Sequence, residues 1–198
     1  RACKKDKKFI KIMRNFIKLL TFSRIFTGPI ILILILFYTN YIFAFILFLV
    51  ISITDYFDGF LARKYKLESE MGAILDPIAD KILITFLLLA IAVELNSFFV
   101  ALMAGLILSR EFWVSALRQL SSSNDGVNLT KVTFQAKIKT SLQFLSICSY
   151  LIGLMRGNSL IIFTSDFLLL ASTILTIKTG WNYTTAIYST KFNEGEEN

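Results

Sequence analysis

Charged and apolar positions fall in long blocks along this chain. Residues 25–54 carry no charge. One helix needs only about 20 residues to cross a hydrocarbon core, so this run is long enough for parts of two. Thr39-Asn40 interrupts it. The pattern predicts a first span at about 22–38 and a second at about 41–61, with Asp55 and Asp58 near its far end. A third follows at about 76–93, closed by the polar turn Glu94-Leu95-Asn96-Ser97. A fourth covers about 98–117, with Arg110 and Glu111 near its end, and charge-free residues 140–155 make a fifth. Arg156-Gly157-Asn158-Ser159 turns the chain into a sixth at about 160–177, which carries Asp166. The fold class expected is all-α: a polytopic membrane protein of six transmembrane helices.

Basic residues orient these spans. With six spans both termini share one side. That side collects all but Arg156 of the 21 Lys and Arg residues, which makes it cytoplasmic by the positive-inside rule. Residues 4–20 place Phe9, Ile12, Met13, Phe16, Ile17 and Leu20 at helical spacing among Lys and Arg. This reads as a basic amphipathic helix on the inner leaflet. A basic targeting peptide has the same look, but no cleavage-like segment separates residues 1–20 from the first span. The domain plan is therefore a juxtamembrane helix over 1–20, a membrane domain over 21–180 and a cytoplasmic tail over 181–198 with a frayed, polar end.

Composition agrees with the membrane reading. The 198 residues are 55% hydrophobic and 18% charged, with mean hydropathy +0.64. Soluble domains carry roughly a quarter charged residues. The net charge of +7 then marks a surface facing anionic lipid rather than nucleic acid. Absence of His removes imidazole chemistry. Cys3 and Cys148 lie far apart and read as free thiols, not a disulfide scaffold.

Ionisable groups inside a membrane helix are costly, so each needs a reason. Asp55 and Asp58 are i, i+3; Asp76 and Asp80 are i, i+4; each pair shares a helix face. A short connection makes the two helices antiparallel neighbours, with both pairs at similar depth. Four carboxylates converging there must either protonate in part or bind cations. Oxygen-only ligands suit a hard cation, Mg²⁺, Mn²⁺ or Ca²⁺, and two such ions side by side suit phosphoryl chemistry. Asp55, Gly59 and Ala62 form a stripe where a ligand could approach the backbone, although small residues also serve helix packing. Arg63, next along, can reach a phosphate. Pro77 is expected in the first turn of the third helix, where its missing N–H costs nothing.

These residues spell D-x2-D-G-x2-A-R-x8-G-x3-D-x3-D from Asp55 to Asp80, without departure. The pattern resembles the signature of the CDP-alcohol phosphotransferases. The resemblance implies a six-helix enzyme whose site opens to the cytoplasm, as in a bacterial inner membrane. An alcohol hydroxyl would attack the β-phosphorus of a CDP-linked substrate and CMP would leave. It makes Asp55, Asp58, Asp76 and Asp80 ligands of a divalent cation, Mg²⁺ or Mn²⁺, two per site. Asp80 would also be the general base. Asp55, Gly59, Ala62 and Arg63 would hold the CMP moiety. A homodimer is implied as well.

The remaining cations address the acceptor. Arg110 and Arg118 end the fourth span, and Lys137 and Lys139 open the fifth. A basic cluster suits an acceptor alcohol that carries its own phosphate, though positive-inside charge accounts for one or two of them. SREFWVSALRQL, QAKIKTSLQ and NFIKLLTFSRIFTGP resemble segments of the phosphatidylglycerophosphate synthase branch of the family. That branch implies CDP-diacylglycerol and glycerol 3-phosphate as substrates. Two rivals are a cardiolipin synthase of the same superfamily and, from another class, a divalent-cation transporter. Thr21 and Arg24 are expected to touch phosphate groups, with Arg24 equally able to snorkel to headgroups. Glu94 and Asp166 read as isolated interfacial acids.

Overall fold

The computed structural model describes residues 20–64, 70–122 and 134–196. The side chains of Tyr56, Pro77, 58–64, 70–74, 118–122, 134–137 and 186–196 lie outside that description. The proposed helix over residues 1–20 falls almost wholly outside it too. Among the described residues every regular element is helical: α1 (Leu20–Leu36), α2 (Tyr41–Lys64), α3 (Glu70–Glu94), α4 (Phe98–Ser122), α5 (Phe134–Arg156) and α6 (Ser159–Glu196).

Among the described residues three stretches are long and apolar enough to cross a membrane: Phe98–Leu117, Ile138–Arg156 and Ser159–Thr185. Shorter apolar stretches run over Leu20–Leu36 and Tyr41–Asp55. Two expectations change. Helix α3 begins at Glu70, so Pro77 lies inside it rather than in its first turn, and the carbonyl one turn back loses its usual donor. Helix α6 runs on to Glu196, well past the expected end of the sixth span at 177.

The turns follow from local chemistry. Thr39, Asn96 and Gly157 adopt positive φ, of 48°, 45° and 59°, the left-handed conformation that commonly ends a helix. The next helix is then capped by a side chain. Asn40 Oδ1 accepts from Phe43 N at 3.2 Å, Ser97 Oγ from Val100 N at 3.3 Å, and Asn158 Oδ1 from Leu160 N at 2.9 Å.

The chain divides into two compact units, residues 1–94 and 95–198. In the first, each helix turns one stripe inward, apolar at one end and polar at the other. On α1 the stripe is Ile35, Ile31, Thr27, Arg24 and Thr21, all buried. On α2 it passes from buried Ala44 and Phe48 to Asp55, and on α3 from Ile91, Leu87 and Leu83 to Asp80 and Asp76. Because the three helices alternate in direction, the apolar ends coincide and so do the polar ends. Gly28 permits the close approach of α1 to α3: a Cβ there would lie 3.1 Å from Phe86 Cδ2.

In the second unit α6 packs on both α4 and α5. Val100, Met103, Ala104, Ile107 and Val114 form the buried stripe of α4; Ile147, Tyr150 and Leu151 form that of α5. The buried stripe of α6 is unusually polar, with Ser165, Ser172, Thr173, Thr176 and Thr179. Ser165 Oγ donates to Ser149 Oγ at 2.7 Å, the kind of interhelical bond that joins helices in lipid. Large apolar side chains such as Phe22, Phe26, Phe43, Phe112, Phe163 and Trp181 point outward.

Candidate active site

The first unit assembles three of the four expected aspartates at the polar ends of its stripes. Arg24 is central to them. Its side chain is 3% exposed, and its two terminal nitrogens divide between two helices: Nη2 lies 2.7 Å from Asp55 Oδ1 on α2, and Nη1 lies 2.8 Å from Asp80 Oδ1 on α3. One turn earlier on α1, Thr21 Oγ1 donates to Asp76 Oδ1 at 2.6 Å. Asp55 and Asp80 remain half-buried, each with an open side. Arg24 therefore does not snorkel to headgroups. A planar fork suits this bridging role, since one guanidinium serves two carboxylates at once.

Asp58, Gly59, Ala62 and Arg63 continue α2 beyond Asp55, but their side chains lie outside the described residues. The donor set is all carboxylate oxygen, which fits a hard divalent cation. Among the described residues no three acids converge on a single point that would hold a metal ion. The guanidinium of Arg24 lies between Asp55 and Asp80.

The second unit builds the opposite arrangement. Glu111 Oε1 accepts from Lys139 Nζ of α5 at 2.5 Å and from Arg110 Nη1 of α4 at 2.9 Å. Arg110 Nη2 donates to Thr179 Oγ1 of α6 at 2.8 Å. Gly180 makes room for this: a Cβ there would lie 2.9 Å from both Cγ and Nε of Arg110. Ser172 Oγ, further back on α6, donates to the Lys139 carbonyl at 3.4 Å. Arg110 and Lys139 are thus brought together, while the side chains of Arg118 and Lys137 lie outside the described residues.

Glu111, Thr179 and Gly180 were absent from the sequence-derived site. The cost of an acid within a membrane helix, which singled out the aspartates, applies equally to Glu111. Nothing in the sequence pairs it with Lys139. Glu94 and Asp166 are not isolated either. Glu94 accepts from the Tyr41 hydroxyl at 2.5 Å, and Asp166 accepts from the hydroxyl of fully buried Tyr150 at 2.5 Å. These two acids join helices.

Among the described residues the fold is all helical, with acids of α2 and α3 gathered by α1 and a pair of cations on α4 and α5 braced by α6. A family model described as CDP-alcohol phosphatidyltransferase matches residues 14–179. The chain belongs to that family of enzymes. It is 36% identical over 178 residues to a CDP-diacylglycerol–glycerol-3-phosphate 3-phosphatidyltransferase of Rickettsia typhi, covering 86% of this chain and 96% of the relative. A protein of the same description from Rickettsia felis is 35% identical over 181 residues, covering 88% and 96%. One from Wigglesworthia glossinidia brevipalpis is 40% identical over 106 residues, covering 54% and 58%.

Proposed function

We propose that this protein transfers a phosphatidyl group from CDP-diacylglycerol to glycerol 3-phosphate, giving phosphatidylglycerophosphate and CMP. The observation that carries the reading is the gathering of Asp55, Asp76 and Asp80 around Arg24 and Thr21, within a chain of this family. The names of the relatives supply the substrates, and the pairing of Arg110 with Lys139 supplies cations for an acceptor that carries a phosphate.

In the proposed reaction a glycerol hydroxyl oxygen bonds to the phosphorus that bears diacylglycerol. The bond from that phosphorus to the oxygen shared with CMP breaks, and CMP leaves with the electron pair. Asp80 accepts the hydroxyl proton. Arg24 holds Asp80 in place and keeps Asp55 beside it; Thr21 orients Asp76. Asp55, Asp58, Asp76 and Asp80 would hold Mg²⁺ or Mn²⁺, which neutralises charge on the phosphate oxygens. Asp55, Gly59, Ala62 and Arg63 take the CMP moiety. Arg110, Arg118, Lys137 and Lys139 take the acceptor's phosphate through charge-assisted hydrogen bonds.

The membrane plan belongs to the same proposal: six spans, both termini cytoplasmic. Helix α2 has 24 residues, about 36 Å at 1.5 Å per residue, enough to cross.

The test is direct. Purified protein in lipid nanodiscs receives CDP-diacylglycerol, Mg²⁺ or Mn²⁺, and competing acceptors, and products are identified by mass spectrometry. Phosphatidylglycerophosphate appearing with stoichiometric CMP, and only when glycerol 3-phosphate is present, is the expected result. Consumption of phosphatidylglycerol instead would make the protein a cardiolipin synthase.

A further inference from the structure

The acid in the basic cluster needs an explanation. A carboxylate beside a phosphate-binding site repels the ligand, so charge alone argues against Glu111. Yet Glu111 is its hub. A single oxygen, Oε1, accepts from Lys139 Nζ at 2.5 Å and from Arg110 Nη1 at 2.9 Å. The Lys139 and Arg110 side chains are only 8% and 10% exposed, whereas Glu111 is 25% exposed.

Two cations withdrawn from water repel each other, and without a shared acceptor they would swing apart. Sharing one oxygen keeps both nitrogens within the span of a single phosphate group. Arg110 is braced from the other side as well. Thr179 Oγ1 accepts from its Nη2 at 2.8 Å, and that hydroxyl is itself anchored to the α6 carbonyl of Leu175 at 2.9 Å. Helices α4, α5 and α6 therefore fix the directions of both cations.

We infer that Glu111 is a positioning residue for the acceptor's phosphate: it aligns Lys139 and Arg110 before the phosphomonoester arrives. This rests on the reading above, in which those cations bind the acceptor. The gain lies in geometry, because a preformed pair of donors loses little freedom when the dianion binds. Glu111 also leaves two positive charges against one negative, so the cluster still attracts an anion.

Geometry and charge make opposite demands on substitutions. Glu111→Gln retains a carbonyl oxygen at the same reach and loses the charge. Glu111→Asp retains the charge but draws the oxygen back by one methylene. Steady-state kinetics in nanodiscs, varying each substrate in turn, separate the two. If Glu111 positions, Glu111→Gln keeps the KM for glycerol 3-phosphate within about threefold of the parent. Glu111→Asp raises it about tenfold. The KM for CDP-diacylglycerol stays unchanged in both, and inorganic phosphate loses potency as a competitor of glycerol 3-phosphate only in Glu111→Asp.

The reverse order, with Asp tolerated and Gln harmful, overturns the inference and makes Glu111 a simple counter-charge. Equal changes in both KM values also overturn it, in favour of helix packing. Lys139→Asn is the control. If it raises the KM for glycerol 3-phosphate while neither Glu111 variant does, positioning falls and the acceptor site stands. If Lys139→Asn leaves that KM unchanged, the acceptor site itself falls.

Discussion

The two units treat charge in mirror fashion. In the first, one guanidinium lies between carboxylates; in the second, one carboxylate lies between cations. Two like charges about 5 Å apart repel by roughly 3 kcal/mol at an effective dielectric near 20, and in each cluster one group bonds both members and holds them in place. Each unit supplies one from its own helices: Arg24 for Asp55 and Asp80, Glu111 for Arg110 and Lys139. Each mediator falls short of full neutralisation. Three described acids against Arg24 leave the first cluster negative; two described cations against Glu111 leave the second cluster positive. That residual sign suits the ligands proposed: a divalent cation for the first, a phosphate for the second.

Removing the group that does chemistry should have the largest effect. Asp80→Asn keeps an oxygen for Arg24 and should fold normally, yet CMP release should fall about a thousandfold, within the range typical of a lost general base. Size-exclusion chromatography alongside the CMP assay checks both parts. Near-normal turnover would remove Asp80 from the base role.

Breaking the mediator of the acidic cluster comes next. Arg24→Met leaves Asp55 and Asp80 facing each other, and losing one partner of a buried pair costs about 3–5 kcal/mol. The half-buried aspartates place this case at the low end. Thermal unfolding in detergent should show a clear drop, and Arg24→Lys should recover only part of it, since an ammonium lacks the fork. Full recovery by Lys would mean that charge, not bridging geometry, is what α1 contributes.

The basic cluster should respond through one substrate. Charge-assisted hydrogen bonds to phosphate are worth about 1.5–3 kcal/mol. Lys139→Asn should therefore raise the KM for glycerol 3-phosphate roughly ten- to a hundredfold. A milder form is Gly180→Ala, whose methyl would press on Arg110 Cγ and Nε and lift the guanidinium off Thr179. A rise of a few fold in the same KM is expected, with that for CDP-diacylglycerol unchanged.

The smallest effect should come from a position in neither cluster. Thr39 holds φ of 48°, which costs a β-branched residue about 1 kcal/mol or more. Thr39→Gly should raise the unfolding temperature slightly and leave both KM values alone. A kinetic change there would show that the α1–α2 turn reaches the acidic cluster.

Much of this plan was legible in the sequence. Charge-free runs located the helices, and the turns at Thr39-Asn40, Asn96-Ser97 and Gly157-Asn158 were visible as polar breaks. The eight fixed residues from Asp55 to Asp80 pointed to the family to which the chain belongs. Helix ends were less legible. Polar residues close a hydropathy window without ending a helix, which is why α3 starts before Pro77 and α6 continues to Glu196.

The partners of the charged groups were not legible at all. Sequence spacing places Asp76 and Asp80 on one helix face, because an α-helix has a fixed period. It cannot say that Arg24, some 56 positions away, divides its two nitrogens between Asp55 and Asp80, or that Glu111 shares one oxygen between Arg110 and Lys139. Those pairings depend on where separate helices come to lie. That in turn depends on packing details such as Gly28 against Phe86 and Gly180 against Arg110. The sequence by itself determined the helices, their apolar stripes and the inventory of charge, since these are local and periodic. Tertiary structure alone decided which opposite charges meet, since that choice is made between helices.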